Sequence, residues 1–592
     1  MTQLPATLRL VWEADRFNAI VLAVLTLSAS LFPAAMAYAG KLIVDSVVAA
    51  VKSGADADKA LAMKWVAVEF GLAVANLLLG RLTGFVRDLL RSNLANLINV
   101  RILEKALTLE LRHFEDSAVY DSMQNARREA SSRPLSLALA GLSLIQSAIT
   151  FATLAGLLIS LAWWSVLVLV AAAVPAFISE TRLSGESFRL WSWRAAEGRK
   201  MNYLEWILTR DSHVKEVKLY DLGPLVLGRY KGFFAKFFGE DKALARKRML
   251  LGALFSTLAL GAFYACYLFV ARRAASSLIS LGDLTLYVAV FRQGQGALTG
   301  ILSEIAGMYE DALFMSNLFK FLHLPTSEAR TNGKRTELPK GRYPLVLEHV
   351  SMRYPGKEAW ALRDINLTIA PGEKIGLVGN NGAGKSTLIK LLLRLYEPTE
   401  GRITYGGIDL REFDVKELRE RFGAVFQDFA RYQFTVAENV GLGDITRLED
   451  REAISAAIDK GGASALVDEL PAKLDTMLGG WFEKGHELSA GQWQKLAVSR
   501  AFMRDAEVLI LDEPTASIDA EAEVALFERF RTLAADRSAV IISHRFSTVR
   551  MADRIAVLDG GKLVELGSHA DLVKQGGRYA HLFELQARGY MD

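Results

Sequence analysis

The chain divides into a first half with long apolar runs and a second half with the mixed patterning of a soluble domain. A helix needs about 20 predominantly apolar residues to cross a membrane. Three stretches meet that length without a charged residue: Ala19–Gly40, Pro134–Ser179 and Leu250–Ala271. The second is long enough for two spans in tandem. Their turn is predicted at Ala162-Trp163-Trp164, because tryptophan favours the membrane interface.

Two weaker apolar runs complete the pattern. Trp65–Gly80 contains Glu69, and Leu278–Phe291 contains Asp283 near its start. Charged residues are tolerated in a spanning helix that lines a polar interior instead of facing lipid. We therefore expect six membrane-spanning helices within residues 1–320.

The connections between the predicted spans alternate in length. Those after the second and fourth spans, about 87–133 and 180–249, are long, helix-patterned and rich in arginine and lysine, which predicts a cytoplasmic location. Each contains a break in the helical pattern, at 113–126 and at 218–228. The second break holds a Gly-Pro pair, which forbids a continuous helix. Ordinary helix tips would produce such breaks, and so would transverse contacts onto a soluble domain.

A polar stretch, 321–344, is predicted to be a linker to a second domain at 345–592. In that domain a short apolar strand, 375–378, leads into GNNGAGKST and then into an apolar helix, which is the P-loop pattern in its required context. Lys385 can contact the outer phosphates of a nucleotide, and the Ser386 hydroxyl can ligate Mg²⁺. The predicted nucleotide-binding residues of this loop are Gly379, Asn380, Asn381, Gly382, Ala383, Gly384, Lys385, Ser386 and Thr387.

A P-loop site also needs carboxylates at the end of a buried strand. The apolar run 508–511 is followed by Asp512 and Glu513. Asp512 is predicted to hold Mg²⁺, directly or through water, and Glu513 to orient the attacking water.

A third stretch, LSAGQWQKLAVSRAF at 488–502, predicts a capped helix. Ser489 followed by Gln492 is a capping box. The cap does not explain Gly491, which is entropically unfavourable in a first helical turn. A helix N-terminus with little side-chain cover is typical of an anion-binding site.

Composition agrees with a membrane part joined to a soluble part. Of the 592 residues, 51% are hydrophobic and 23% charged, and the mean hydropathy is +0.20. The net charge of +4 is too small to argue for a nucleic-acid partner. A single cysteine, Cys266, excludes a disulfide framework and a cysteine metal site.

The order of these motifs resembles the nucleotide-binding domain of ATP-binding cassette (ABC) transporters. LSAGQ resembles the signature motif of that family, usually LSGGQ, with alanine in place of one glycine. The resemblance implies that this motif closes over ATP held by a second cassette. Its residues here are Ser489, Ala490, Gly491 and Gln492.

Four other positions take their expected roles from the same resemblance. Gln427 is similar to the Q-loop glutamine, which contacts Mg²⁺ and the attacking water, and His544 to the H-loop histidine, which contacts the γ-phosphate. Asp519 is similar to the D-loop aspartate at the dimer interface, and Tyr354 to the aromatic residue that stacks on adenine. The expected catalytic set is Glu513, His544 and Gln427, and the expected metal ligands are Ser386, Gln427 and Asp512.

Six predicted spans ahead of one cassette resemble the half-transporter layout of ABC exporters. The resemblance implies a multi-pass protein of the inner (plasma) membrane with its ATPase domain in the cytoplasm. It also implies ATP and Mg²⁺ as cofactors and a head-to-tail pair of cassettes. A complete motif set favours a homodimer, and a heterodimer stays open. The breaks at 113–126 and 218–228 then lie where coupling helices are expected.

The expected function is ATP-driven export or lipid flipping by alternating access. Two alternatives remain open, an importer of metal chelates on the same scaffold and an ATP-gated channel. A soluble cassette ATPase that acts on nucleic acid is excluded by the uncharged run 134–179. The substrate is open among lipids, small molecules and peptides. Polar residues that could face a transport cavity, or pair among helices, are Glu69, Arg81, Arg292, Gln293, Gln295 and Glu304.

Overall fold

The computed structural model describes residues 4–116, 119, 123, 133–325, 338–339, 341–514, 536–543 and 545–588. The chain forms two compact units. One comprises Met1–Leu107 with Ser117–Leu324, and the other Thr108–Asp116 with Pro325–Asp592.

The first unit is helical, and several of its helix ends have a clear local cause. Asp15 accepts a hydrogen bond from the backbone N–H of Asn18 (3.0 Å) and so caps the second helix. Gly54 ends the third helix in the left-handed conformation. In chain order the helices are α1 (Leu4–Ala14), α2 (Arg16–Ala29), α3 (Phe32–Ser53), α4 (Asp56–Leu107), α5 (Leu111–Glu115, in the second unit), α6 (Arg133–Trp193), α7 (Ala195–Thr209), α8 (Asp211–Leu219), α9 (Gly223–Ala275) and α10 (Leu281–Leu322).

Within the described residues, five helical segments are long and apolar enough to cross a membrane. They are Arg16–Ser53, Asp56–Leu107, Arg133–Ile159, Trp163–Ser187 and Gly223–Ala275. The sixth predicted span lies in α10, which has 42 residues and is not among those five. Its first turn is capped by Ser280 and Asp283, and Asp283 also pairs with Lys41 of α3 at 2.7 Å. The charge noted in that weak run is therefore neutralised by a neighbouring helix.

The chain reverses direction within α6. Residues Arg133–Trp193 are helical, and within them two separate candidate spans, Arg133–Ile159 and Trp163–Ser187, meet where the turn is predicted. Following α6 along the chain, its contact point on α10 first moves toward the start of α10 and then back. Arg133 contacts Asp311, Leu158 contacts Tyr287, and Leu169 then lies against Gly294. If α6 were straight, Leu169 would lie about 16 Å beyond Leu158 and further from Asp311 than Leu158 is, since each helical residue rises about 1.5 Å. The two halves of α6 therefore run in opposite directions along α10, as two tandem spans require.

The second predicted break is confirmed. Helix α8 ends at Leu219 and α9 begins at Gly223, with Pro224 in its first turn, where proline is tolerated. At the first predicted break, α5 covers Leu111–Glu115, and most of 117–132 lies outside the described residues.

Two sheets form the frame of the second unit. An antiparallel sheet has the order β2-β1-β4-β5, and a six-stranded sheet has the order β10-β9-β3-β8-β7-β6. In the second sheet β9, β3, β8, β7 and β6 are parallel, so their carboxyl ends share one edge. The strands are β1 (Leu345–Met352), β2 (Leu362–Ile369), β3 (Lys374–Val378), β4 (Glu400–Tyr405), β5 (Ile408–Asp409), β6 (Phe422–Val425), β7 (Val508–Asp512), β8 (Ser538–Ile542), β9 (Arg554–Asp559) and β10 (Lys562–Gly567).

Short helices pack around these sheets. The central strands β7 and β8 are buried along their whole length, as expected for a parallel sheet covered on both faces. The helices are α11 (Lys385–Leu392), α12 (Val415–Glu420), α13 (Val436–Gly441), α14 (Arg451–Lys460), α15 (Ser464–Glu469), α16 (Ala490–Met503), α17 (Phe546–Val549), α18 (His569–Gln575) and α19 (Arg578–Arg588).

Candidate functional site

The predicted P-loop connects β3 to α11, and its glycines are sterically required. A β-carbon on Gly379 would lie 2.3 Å from the Leu558 carbonyl oxygen. Gly384 caps α11 with φ of 103°, a conformation that favours glycine. The Lys385 ammonium donates to the carbonyls of Gly379 (2.6 Å) and Asn380 (3.1 Å), so the side chain is folded back along its own loop.

Lys385 and the two carboxylates act on one another electrostatically. Burial lowers the pKa of Lys385, and the negative charges of Glu513 and Asp512 oppose that shift. Burial likewise raises the pKa of Asp512 to about 6, helped by the neighbouring Glu513 and opposed by Lys385. The structure therefore brings all three groups to the carboxyl edge of the parallel sheet, as the sequence predicts for β3 and β7.

Gln427 joins this group from the neighbouring strand β6. Its side-chain amide donates to the Glu513 carboxylate at 2.9 Å. Ser386 lies exposed in the first turn of α11. The carboxylate of Asp512, the hydroxyl of Ser386 and the amide oxygen of Gln427 are oxygen donors of the kind that Mg²⁺ prefers, so this donor set fits the ion.

Tyr354 is half-buried beside the P-loop helix. Its hydroxyl shares a hydrogen bond with Thr387 (3.0 Å), and its ring meets Tyr396 edge-on with centroids 5.3 Å apart. The Lys390 ammonium lies 5.5 Å from the centroid of each ring. The predicted adenine-stacking residue is thus fixed in orientation by its neighbours.

Helix α5 contacts this same group. Glu115 accepts hydrogen bonds from Lys390 (2.8 Å) and from the Tyr396 hydroxyl (2.5 Å). Burial alone would raise the pKa of Glu115, but the hydrogen bonds from Lys390 and Tyr396 outweigh it and lower that pKa. The carboxylate therefore stays charged and links α5 to the surroundings of Tyr354.

The capping box at the start of α16 is confirmed. Ser489 accepts from the backbone N–H of Gln492 (3.3 Å), and Gln492 accepts from that of Ser489 (2.8 Å). Ser489 and Ala490 are exposed. Among the described residues, no hydrogen bond or ion pair joins this turn to the P-loop of the same chain.

Two residues directly after the signature motif, Trp493 and Gln494, have structural roles in the cassette. The role of Gln494 was not predicted from the sequence. Its side-chain amide, 2% exposed, donates to the Glu513 carbonyl at 3.1 Å. The available signal was a polar residue on the buried face of α16. The other residue, Trp493, is 2% exposed and packs in a core cluster with Leu488 and Leu496.

Two predicted site residues, His544 and Asp519, lie outside the described residues. Their expected contacts with the γ-phosphate and across a dimer interface stay predictions.

Comparison with known proteins decides the family. The sequence model of the family described as ABC transporter matches residues 362–516. The subtilin transport ATP-binding protein SpaT of Bacillus subtilis is 30% identical over 597 aligned positions, which cover 100% of this chain and 95% of the relative. The chain belongs to the ABC transporter family.

Two further similarities extend this result. An ATP-dependent lipid A-core flippase of Alkalilimnicola ehrlichii is 36% identical over 52% of this chain and 52% of its own length. The solved structure of a bacterial Atm1-family ABC exporter with ATP bound has the same fold, with a TM-score of 0.80 at 22% identity over 97% of this chain and 98% of the exporter.

This ABC transporter is a multi-pass membrane protein that binds ATP and couples its hydrolysis to export. Its half-transporter fold, with one cassette in the chain, indicates dimerisation. None of these comparisons supports the importer alternative.

Proposed function

We propose that this ABC transporter is a homodimer of the plasma membrane with both cassettes in the cytoplasm. In this proposal residues 1–320 form the membrane domain, 321–344 the linker and 345–592 the ATPase domain. The basic connections 87–133 and 180–249 support the orientation, because arginine and lysine are enriched on the cytoplasmic side. One complete set of nucleotide motifs in the chain supports two identical subunits.

The observation that carries the catalytic proposal is the contact of Gln427 with Glu513 beside Asp512 and Lys385. Lys385 would leave its own loop carbonyls and bind the outer phosphates, since an ammonium gains more from phosphate than from neutral carbonyls. Glu513 would orient the attacking water and accept its proton. Gln427 would orient the Glu513 carboxylate by its hydrogen bond, and its position would change when nucleotide binds or is hydrolysed.

Mg²⁺ would be held by Asp512, Ser386 and Gln427. A bound Mg²⁺ would neutralise charge on the phosphate oxygens during transfer. The buried Asp512 beside Glu513 supports a cation at this position, because two neighbouring carboxylates at a buried edge are unfavourable without one. His544 would contact the γ-phosphate, and Asp519 would lie at the interface between the cassettes.

The signature turn would act on the partner's nucleotide. Ser489, Ala490, Gly491 and Gln492 form a capped helix start that is exposed at its first two residues. Exposed backbone N–H groups at a helix N-terminus favour an anion. ATP on Lys385 of one chain would therefore be closed over by the signature turn of the other, and each dimer would hold two such composite sites.

Nucleotide-driven closure would reach the membrane domain through α5 and the break at Tyr220–Leu222. Glu115 contacts Lys390 and Tyr396, which in turn surround Tyr354. ATP binding shifts the cassettes toward the closed state because the γ-phosphate makes contacts only there. Hydrolysis removes those contacts, and the alternation of the two states would drive alternating access.

Replacement of Glu513 by glutamine tests the catalytic proposal. Glu513→Gln should retain ATP binding, lose steady-state ATPase activity by about 100-fold or more, and accumulate a closed dimer, because the amide cannot accept the proton. Phosphate release, trapped radiolabelled ATP and size-exclusion chromatography measure the three effects. Glu469→Gln, an exposed residue of α15, is the matched control and should leave all three unchanged. Unchanged turnover in Glu513→Gln would remove Glu513 from the mechanism.

A further inference from the structure

The connection between β6 and α13 begins with residues 427–433, called the Gln427 segment below. It forms neither a helix nor a strand. From Ala430 to Gln433, no residue makes a backbone–backbone hydrogen bond to any other described residue. A segment without such bonds is free to move unless side chains hold it. The groups that fix this segment therefore decide where Gln427 lies.

Arg500 of α16 supplies several of these groups. Its guanidinium donates to the carbonyls of Ala430 (3.2 Å) and Asn439 (2.9 Å) and to the side-chain oxygen of Asn439 (3.2 Å). Its central carbon lies 4.7 Å from the centroid of the Tyr432 ring, which is a cation–π contact. One planar group thus contacts three positions along the connection from β6 to α13.

Asn439 extends this arrangement from the first turns of α13. Its side chain is fully buried, and its amide nitrogen donates to the carbonyls of Tyr432 (2.9 Å), Phe434 (3.2 Å) and Thr435 (3.1 Å). Because its oxygen accepts from Arg500, the nitrogen faces these carbonyls. Arg500 therefore acts on the segment directly and also through the orientation of Asn439.

The charge of Arg500 is buried without an opposite charge. Burial lowers the pKa of Arg500, and none of the described carboxylates pairs with it. A buried charge is unfavourable unless polar groups solvate it, and the oxygens of Ala430 and Asn439 do so here. A lysine ammonium is a point charge and cannot donate in these directions as a planar guanidinium does. The arrangement therefore depends on arginine and not on positive charge alone.

The helix that carries Arg500 also contacts the catalytic glutamate. Gln494 of α16 donates to the Glu513 carbonyl (3.1 Å), and Gln427 donates to the Glu513 carboxylate (2.9 Å). Gln494 and Arg500 are separated by about 9 Å along α16. Both contacts to Glu513 thus depend on α16, one directly and the other through the segment that Arg500 holds.

We propose that Arg500 is a positioning residue that acts through Gln427: it fixes the Gln427 segment to α16 and so sets the hydrogen bond between Gln427 and Glu513. The inference rests on the proposed catalytic roles of Gln427 and Glu513. Because α16 begins with the signature turn, a displacement of that turn by the partner's nucleotide moves the Gln427 segment with it. Arg500 thus connects the two composite ATP sites of the dimer.

ATPase kinetics of the full-length transporter in nanodiscs test this role. Arg500→Lys should lower kcat about fivefold and change the KM for ATP less than about twofold, because the loss affects the orientation of Glu513 and not nucleotide binding. Arg504→Lys is the matched control. Arg504 directly follows α16 and donates to the carbonyls of Gly443 (3.0 Å) and Arg419 (2.7 Å), outside the Gln427 segment, so its kcat should not change. Equal losses in the two variants would overturn the proposal.

A double-mutant cycle tests whether Arg500 acts through Gln427. Gln427→Met keeps the length of the side chain but cannot donate to Glu513, so kcat should fall about tenfold. Adding Arg500→Lys should then lower kcat by less than about twofold further, because the contact that Arg500 positions is already lost. A combined loss of about fiftyfold, the product of the two separate losses, would show that Arg500 acts independently of Gln427.

Limited proteolysis follows the segment itself and needs no ATPase activity. Arg431 lies exposed in the Gln427 segment and is a site for trypsin. Mass spectrometry of the digest should show cleavage after Arg431 about fivefold faster in Arg500→Lys than in the wild type, because the segment opens more often. Cleavage in Arg504→Lys should proceed at the wild-type rate. Wild-type cleavage in Arg500→Lys would overturn the proposal.

The single variant Gln427→Met separates the two levels of inference. Unchanged turnover in Gln427→Met would contradict the proposed catalytic role of Gln427 itself. Reduced turnover in Gln427→Met, together with wild-type turnover in Arg500→Lys, would contradict only the positioning role of Arg500.

Discussion

Glu513 shows how the site holds one residue in a conformation that it would not adopt by itself. Its φ is 49°, in the left-handed region, which is unfavourable for a non-glycine residue by about 1 kcal/mol or more. Two hydrogen bonds hold its backbone there: its N–H donates to the Ile542 carbonyl (3.0 Å), and its carbonyl accepts from Gln494 (3.1 Å). The direction in which the Glu513 carboxylate points therefore depends on the neighbouring strand β8 and on α16, the helix that follows the signature motif.

Removing the Gln494 donor should affect turnover more than nucleotide binding. In Gln494→Met the side chain keeps its length but no longer donates to Glu513, so we expect kcat to fall about fivefold, equivalent to about 1 kcal/mol. The KM for ATP should change less than twofold. Steady-state ATPase kinetics measure both, with Gln575→Met, an exposed residue of α18, as control. A change in KM with unchanged kcat would argue against a role for Gln494 in positioning Glu513.

Ala490, the departure from the usual signature glycine, is explained by its backbone. It is the first residue of α16 and is not among the residues with positive φ, so its methyl group is compatible with the helix. Ala490→Gly should therefore keep ATPase activity within about twofold and destabilise the chain by up to about 1 kcal/mol. Thermal unfolding and phosphate release test this, and Ala456→Gly in α14, also at an exposed helical alanine, should show the same loss of stability. A large change in activity would mean that the methyl group contacts the partner's nucleotide.

At the scale of elements, Trp493 explains how α16 is fixed in the cassette. Its indole ring lies in a core formed by α13, α14, α15 and α16. Its ring nitrogen has no hydrogen-bond partner among the described residues. Trp493 therefore stabilises the packing of α16 through the apolar volume of its ring. Burial of its N–H without a hydrogen-bond partner lowers the stability of the fold.

Two substitutions separate these contributions. Trp493→Ala should destabilise the full-length chain by about 3–5 kcal/mol through the cavity that it leaves. Trp493→Phe should change stability by only about 1 kcal/mol, since the lost volume is offset by removal of the unpaired N–H. Chemical denaturation followed by circular dichroism measures both. The same pair of changes at Trp481, which is 73% exposed, should have little effect. Equal losses for Trp493→Phe and Trp493→Ala would assign a hydrogen bond to the indole.

The helix α5 packs with residues that are distant from it in the sequence. It follows the second membrane span, yet it belongs to the unit that contains the cassette. Glu115 contacts Lys390, 275 positions later in the chain. Because this ion pair is partly exposed, it is worth roughly 0–1 kcal/mol, so it fixes the position of α5 more than it stabilises the fold.

At the scale of the whole molecule, the question is whether each ATP site needs two chains. If Lys385 and Ser489 act on the same nucleotide from different subunits, mutations on different chains affect one site and leave the other intact. Mutations on the same chain affect both sites of a mixed dimer. The two mixtures contain the same substitutions and differ only in their distribution.

Mixing experiments turn this difference into a measurement. Lys385→Ala and Ser489→Arg chains should each be inactive alone, and mixed dimers of the two should recover up to about half of wild-type ATPase activity, because each mixed dimer holds one intact site of two. Mixed dimers of wild type with the double variant should show no ATPase activity, because each of their two sites contains one substituted residue. Phosphate release after co-purification through two affinity tags measures both. No recovery, and no trapped ATP, in the first mixture would contradict the head-to-tail arrangement.

Local chemistry made part of this structure predictable. The P-loop, the capping box at Ser489 and the helix break before Gly223 each depend on a few consecutive residues with defined backbone preferences. The apolar runs likewise determined where α3, α6 and α9 could lie. Family resemblance supplied Gln427 and Tyr354, which no local pattern distinguishes from ordinary surface and packing residues.

Thus the sequence by itself determined the two-part architecture and the nucleotide-binding loop, because apolar periodicity and loop geometry are properties of neighbouring residues. Only the tertiary structure decided that Gln427 contacts Glu513 and that Gln494 holds its carbonyl. It also decided the reversal within α6 and the contacts of Arg500 with the Gln427 segment. These features join residues far apart in the chain, so they depend on how whole elements pack and not on any local preference.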